Sequence, residues 1–201
     1  MSFPQIFAVG AEKRVGKDTL CDRLIQNFKL SGISSVKLSL AEPLKNSCKC
    51  IVMNEFGIDI HNCSDQEKEL VRPLLVTVAA VHRSRTRGHY FVNKLLNKIA
   101  NSPSLNSLAA IFVSDLRFDE YGESDELETL KSVGAKIIHL GLVTPDGYYL
   151  KSNIESEIKN SPLIEKKADY PIFWFKEKGR SAEINNLFVK ILARQLVKDI
   201  K

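Results

Sequence analysis

The sequence predicts an α/β fold: a mainly parallel five-stranded sheet with helices on both faces. Three observations predict it. Short apolar runs alternate with amphipathic helical stretches along the 201 residues, the pattern of βαβ units. The run LAAIFVSD, Leu108 to Asp115, is almost continuously apolar, as a strand buried on both faces must be. The first apolar run, Phe3 to Val9, passes into a basic turn containing glycine and then into a helix.

The elements follow in order. Leu20, Leu24 and Phe28 recur at helical spacing after Lys17, and Ser31-Gly32 closes that helix. Ser34 to Leu40 alternates and is β-branched enough for a second strand. Pro43 suits a first helical turn, and Gly57 stops that helix. Ile58 to Ser64 reads as a loop. From Asp65 the text is helical as far as the arginines near Arg85, with Pro73 as a kink or restart, and a further helix follows Gly88. Asn101 to Asn106 is a polar linker. After the third strand, 108–115, a helix is expected from about Asp119 to Val133, then a fourth strand, AKIIHLGLV. Thr144 to Pro162 reads as a loop or short helical excursion, and Asp169 to Phe175 as the fifth strand. A closing helix, Ser181 to Lys198, would face the core with Ile184, Leu187, Phe188, Ile191 and Leu192. The whole chain, 1–201, reads as one domain, with an acceptor-binding helical region over about 43–100 and a lid over about 143–162.

Composition narrows the function. No run is long enough to span a membrane, and the N-terminus lacks the order of a signal peptide, so a cytoplasmic protein is expected. Cys21, Cys48, Cys50 and Cys63 have no metal-site spacing and read as free thiols. The net charge of +5 suits a small polyanion such as a nucleotide and does not call for nucleic acid.

The stretch GAEKRVGKDT, Gly10 to Thr19, organises the rest. Strand, glycine turn and helix are what a phosphate-binding loop requires. Gly16 lets backbone N–H groups turn inward, the helix start adds its positive end, and Lys17 supplies a mobile charge. The loop has Ala11 where glycine is usual and Asp18 where Ser or Thr is usual, with Thr19 behind it. Asp18 could serve a Mg²⁺ ion directly or through water, or hold a loop cation such as Lys13 or Arg14. Read otherwise, Asp18 is a helix N-cap.

In parallel sheets ligands sit beyond the carboxyl ends of the strands, which directs attention to Ser39–Lys45, Ser114–Arg117 and the segment from Gly141. Asp115 ends the third strand where a second metal-binding acid would stand, and Arg117 could reach a transferring phosphoryl group. Lys45, in a first helical turn, could hold an acceptor phosphate. Arg72, Arg83, Arg85 and Arg87 form the densest basic region. Arg72 is the candidate for the acceptor phosphate, and the other three read as a solvated face at least as well as a binding patch, because aromatic interleaving is thin. His61, His82, His89 and His139 show no ligand spacing, and His139 reads as a strand-end or core residue.

Four pieces in order, KRVGKDT (Lys13–Thr19), LAEPLK (Leu40–Lys45), VSDLRFDE (Val113–Glu120) and GAKIIHL (Gly134–Leu140), resemble the bacteriophage deoxynucleoside monophosphate kinases and, more loosely, the animal-type phosphomevalonate kinases. The resemblance implies the three-layer P-loop NTPase fold of the nucleoside monophosphate kinase type, and transfer of the ATP γ-phosphoryl group, with Mg²⁺, to a phosphate on a small acceptor. By position, Gly10, Ala11, Lys13, Arg14, Val15, Gly16, Lys17, Asp18 and Thr19 would form the ATP-binding loop. Asp18 and Asp115 would serve the metal, and Lys17, Arg14 and Arg117, with Lys13, would stabilise transferred charge. Lys45, Arg72, Arg117 and Glu155 would address the acceptor. The chain departs from the families in Glu12, in a lid region that carries Lys151 and Lys159 but no arginine, and in FWFKEKGRS after the fifth strand. A viral or phage origin and a homodimer would both accord with the resemblance. Two other classes stay open: a nucleotide-binding protein without turnover, and a nucleic-acid binder using the region around Arg83.

Overall fold

The computed structural model describes residues 3–13, 15–117, 120–121, 125–144, 146–176 and 180–200. The elements are β1 (Gln5–Gly10), α1 (Lys17–Leu30), β2 (Ser35–Ser39), α2 (Glu42–Phe56), α3 (Asp65–Thr86), α4 (His89–Ala100), α5 (Pro103–Asn106), β3 (Ala110–Leu116), α6 (Glu126–Ser132), β4 (Lys136–Val143), β5 (Tyr149–Leu150), α7 (Glu155–Lys167), β6 (Tyr170–Phe175) and α8 (Arg180–Val197).

Five strands run parallel in the order β2-β3-β1-β4-β6, and the two-residue β5 is antiparallel to β4. The sheet therefore has six strands where the sequence reading gave five. Leu142 pairs with both Leu150 of β5 and Trp174 of β6, and His139 with both Gly10 of β1 and Pro171 of β6. β1 and β5 consequently share one edge of β4. β5 occupies the stretch beyond the end of β1, where the glycine loop begins.

The alternation of side chains along the strands divides the core between the two faces. Phe7, Val9 and Phe112 face α1 and α8 with Leu20, Leu24, Phe28, Val189 and Leu192. Ile6, Ala8, Ile111 and Val113 face the other way, against Val92, Leu95 and Ile99 of α4, Leu127 and Leu130 of α6, and Ile164 of α7. Phe7 and Phe112 stack with centroids 5.4 Å apart, and Phe28 meets Phe112 edge-on at 5.1 Å. A smaller cluster of Cys48, Val52, Ile58, Ile60 and Val71 joins α2 to α3. Ser64 and Glu67 close a reciprocal capping box at the start of α3.

The structure corrects several expected boundaries. The segment read as a loop or short excursion, Thr144 to Pro162, contains β5 and the first part of α7, a 13-residue helix that continues through Pro162 to Lys167. Its interior residues Asn160, Ser161 and Ile164 are buried, and that tertiary docking outweighs the polar, proline-containing text. The helix expected from Asp119 is described only from Glu126, capped by the Asp125 side chain, which accepts from the Glu126 N–H at 2.7 Å. The rest of that expectation includes residues outside those described. The polar linker contains the short helix α5.

The closing helix is rotated from the expected face. Of the expected face Leu192 is buried, but Leu187, Phe188 and Ile191 are exposed, and Val189, Ala193 and Leu196 are buried instead. Asn185 explains the rotation: fully buried, it accepts from the Phe175 N–H at 2.9 Å and donates to the Phe175 carbonyl at 2.7 Å, pinning the helix to β6. Among the described residues no helix is long and apolar enough to cross a membrane.

Candidate active site

The loop between β1 and α1 lies at the carboxyl end of the sheet. Gly16 stands at the N-cap of α1 with φ +99°, the left-handed region open to glycine. A Cβ there would also lie 2.4 Å from Cζ2 of Trp174. Trp174 comes from β6, and its indole N–H donates to the Val15 carbonyl at 2.8 Å, so the last strand clamps the loop from one side. Gly10 is tight for another reason: a Cβ would come within 2.8 Å of Ile164 in α7.

Lys17 is folded back into the loop. Its Nζ donates to the carbonyls of Ala11 at 3.1 Å and Glu12 at 2.8 Å, and the residue is only 6 % exposed. Burial, followed by the nearby Arg117 guanidinium, brings its pKa down to about 8. Asp18 and Thr19 are exposed on the first turn of α1. Asp18 lies 3.3 Å from Nζ of Lys37, which also holds Asp22 at 2.8 Å.

Asp115 is delivered by an irregularity in β3. The parallel register with β1 shifts between Ala8 and Gly10, where Val113 and Leu116 are the partners, and Asp115 takes φ +69°. Such a bulge bends the strand and re-aims its side chains. The Asp115 carboxylate accepts from the Ser39 hydroxyl at 2.8 Å and from Arg117 at 3.5 Å. Burial opposes its ionisation, but Arg117, the Ser39 hydroxyl and Lys17 outweigh it and hold the carboxyl below the ordinary range.

Asp115 opens onto a cavity of 340 Å³ lined also by Asp18, Lys37, Leu38, Ser39, Glu42, Lys45, His61 and Ser114. Glu42 is neutralised by Lys98 at 2.8 Å, whereas Lys45 has no ion pair among the described residues. The Ser114 hydroxyl is buried and unpartnered among the described residues. Of the three carboxylates on this cavity Glu42 is taken by Lys98, and Asp18 and Asp115 with the Ser39 and Ser114 hydroxyls form an all-oxygen donor set of the kind Mg²⁺ takes. The residues present thus fit the ion. No group of three or more His, Cys, Asp and Glu side chains that could hold a metal ion gathers among the described residues.

A second set of contacts joins the loop to α7. Glu157, 6 % exposed, accepts from the Lys13 N–H at 2.8 Å and from Arg117 Nη1 at 3.2 Å. Glu12, equally buried, accepts from the Ser152 N–H. Burial above all raises the Glu12 pKa. On the opposite side Lys13 Nζ reaches Glu69 of α3 at 2.9 Å, and Glu69 also takes Arg72 at 3.0 Å.

The structure therefore brings Gly10, Ala11, Lys13, Val15, Gly16, Lys17, Asp18, Asp115 and Arg117 together, with Lys45 on the adjoining cavity and Arg72 tied to Lys13 through Glu69. Arg14 lies outside the described residues. Glu155 is exposed at the first turn of α7, and it is Glu157, two residues on, that meets the loop. The sequence does not single out Lys37, Glu157 and Trp174, and nothing local marks them. Position after a strand points to the segment from Ser39, and His61 shows no ligand spacing.

Arg83 leaves the basic region altogether. Only 4 % exposed, it donates to both Asp125 oxygens at 3.1 Å and to Glu126 at 2.8 Å, and lies over the Tyr121 ring at 5.8 Å. The solvated-face expectation fails for this residue because α6 supplies two buried acids opposite it. Arg85 and Arg87 are exposed as expected. His139 is fully buried in β4, its Nε2 3.0 Å from the Ser161 hydroxyl, and burial lowers its pKa to about 4. All four cysteines are free thiols.

The parallel strand order, the helices on both faces and a glycine-lysine loop joining the first strand to the first helix define a P-loop NTPase fold. No protein-family model and no curated protein matches the sequence. Among solved structures the chain is similar to a possible uridine kinase from Bacillus stearothermophilus, at 12% identity over 86% of this chain and 90% of that one, with a TM-score of 0.38. It is similar to shikimate kinase from Acinetobacter baumannii at 12% identity, covering 98% and 92%, TM-score 0.36. It is also similar to a gluconokinase from Sinorhizobium meliloti 1021 at 10% identity over the whole of both chains, TM-score 0.38. At these values the fold assignment rests on the strand order and the loop.

Proposed function

We propose that this chain is an ATP- and Mg²⁺-dependent phosphotransferase that passes the γ-phosphoryl group to a phosphate on a small acceptor. The observation that carries the reading is the convergence of Lys17, Asp115 and Arg117 at the mouth of the loop, beside a cavity lined by Lys45, a lysine with no ion pair among the described residues. Phosphoryl transfer needs positioning and charge neutralisation more than covalent chemistry. Lys17 and the loop N–H groups would hold the ATP phosphates, and Arg117 would stabilise charge on the group in flight. Mg²⁺, when bound, neutralises charge on the β- and γ-phosphates, and Asp115, Asp18 and the Ser39 and Ser114 hydroxyls would hold it. Lys45, with Arg72 behind Lys13, would bind the acceptor. An acceptor phosphate is already ionised at neutral pH, so no protein base is required.

The sequence resemblance favours a deoxynucleoside monophosphate as acceptor. A second reading, a base-free phosphate ester, is favoured by the cavity lining, which holds no Phe, Tyr or Trp and only His61 as a ring. One experiment separates them: ADP release with ATP and Mg²⁺, scanned over the deoxynucleoside and ribonucleoside monophosphates and phosphomevalonate. Turnover with nucleotides supports the first reading, and turnover with the ester alone supports the second. ATP binding without turnover on any acceptor would overturn both in favour of a non-catalytic nucleotide binder.

A further inference from the structure

Glu157 is absent from every role assigned above, yet its carboxylate is the anion that the loop holds. It takes the Lys13 N–H at 2.8 Å and Arg117 at 3.2 Å. Arg117 also reaches Asp115, so its guanidinium is divided between two acids of the protein. Lys17 is bonded to two loop carbonyls. Three donors that a terminal phosphate would recruit, the Lys13 N–H, the Arg117 guanidinium and Lys17 Nζ, are thus already engaged, and one carboxylate accounts for two of them.

The segment leading into α7 is held at a second point. β5 extends the sheet past the end of β1, and the Ser152 N–H that follows it donates to the buried Glu12. Between these points, segment 150–157 spans the loop on the side opposite Trp174's bond to Val15. An incoming triphosphate would bring more negative charge to a place where a buried carboxylate already sits. In a site of low dielectric that carboxylate must move or be neutralised for the phosphate to bind.

We propose that Glu157 is an internal competitor for the terminal phosphate, so that α7 closes the loop in a self-occupied resting state which ATP opens by displacing it. The proposal rests on the nucleotide-site reading. It makes Glu157 a determinant of nucleotide specificity, because displacement is demanded by a terminal phosphate and much less by a diphosphate. Linkage gives the sign: whatever stabilises the occupied form raises the apparent dissociation constant of the ligand that must open it.

The test is direct titration of ATP and of ADP, each with Mg²⁺, into the wild-type chain and Glu157→Gln. Glutamine keeps the volume and one acceptor oxygen and removes the charge. ATP should bind roughly tenfold more tightly to the variant, the scale of one charge-assisted contact, and ADP should change less than threefold. Equal or weaker ATP binding by a folded variant would overturn the proposal. Should the variant not fold, hydrogen exchange in the wild type decides. Protection over 152–161 should fall on adding ATP and change less on adding ADP, whereas a rise with ATP would overturn it. If the wild type binds neither nucleotide, the nucleotide-site reading itself has failed, an outcome distinct from tight wild-type binding unaffected by the substitution.

Discussion

Two arginine networks of this molecule differ in how deeply they are buried and in what lies beside them. Arg83, with its side chain 5 % exposed, meets Asp125 through both carboxylate oxygens and Glu126 through a third bond, all at 3.1 Å or less. Asp125 also accepts the N–H groups of Tyr121 and Glu126, and a Cβ on Gly88 would come within 2.6 Å of it. Arg117, with its side chain 31 % exposed, has bonds of 3.2 Å to Glu157 and 3.5 Å to Asp115, which lines the cavity. Near it stand a lysine with a depressed pKa, a hydroxyl without a partner among the described residues and an aspartate in the left-handed region. Both networks are built from arginine and acids, and each has a buried oxygen without a partner among the described residues, Glu126 Oε2 in the first and the Ser114 hydroxyl beside the second. The second adjoins the 340 Å³ cavity through Asp115. The difference teaches that an arginine network beside an open cavity, rather than arginine density, points to the candidate site.

Several substitutions would break or sharpen that contrast, and the largest effect is expected in the closed network. Arg83→Leu leaves Asp125 buried without its guanidinium partner and should cost about 3–5 kcal/mol of folding stability, read by denaturant unfolding. An unchanged midpoint would show that the network is not structural. At the open network, Lys17→Ala should lower turnover by roughly 10²-fold or more and weaken ATP binding while the chain still folds. The same lysine gives a pH test. Below its pKa of about 8 it carries the charge that a phosphate needs, so ATP affinity should fall as pH rises through that value. Its contribution to stability has the opposite sign. The folded chain binds this proton less tightly than the unfolded one, so stability should rise from about 8 toward the ordinary value of 10.5. Lys17→Arg, which stays charged, should flatten the affinity profile.

A smaller effect tests strain. Asp115→Gly relieves a non-glycine residue at φ +69° and should stabilise the fold by about 1 kcal/mol while abolishing Mg²⁺-dependent turnover. A loss of stability instead would show that the Ser39 and Arg117 contacts outweigh the backbone cost. The smallest effect is expected at Arg85→Ala, exposed beside Arg83 in the sequence. Stability should stay within about 0.5 kcal/mol of wild type and nucleotide affinity should not move.

Local chemistry determined much of this protein. The near-continuous apolar text of β3 can only be a strand covered on both faces, and Leu20, Leu24 and Phe28 can only be the inner stripe of a helix. The strand, the Gly16-Lys17 turn and α1 are contiguous, so the loop and its position at the carboxyl end of the sheet were legible in the sequence. So was the placement of Asp115 and Arg117 beside that loop, because both stand at the carboxyl end of β3. Tertiary structure decided what depends on partners distant in the chain. Asn185 fixed the rotation of α8 by bonding Phe175, against the more apolar stripe of Leu187, Phe188 and Ile191. Docking on β4 turned a polar, proline-containing stretch into α7 and brought Glu157 to a loop 144 residues away. Asp125 and Glu126 withdrew Arg83 from the surface. A hydrogen bond or ion pair has no period along the chain, so it leaves no pattern in the sequence, whereas burial of one face of a helix or strand does.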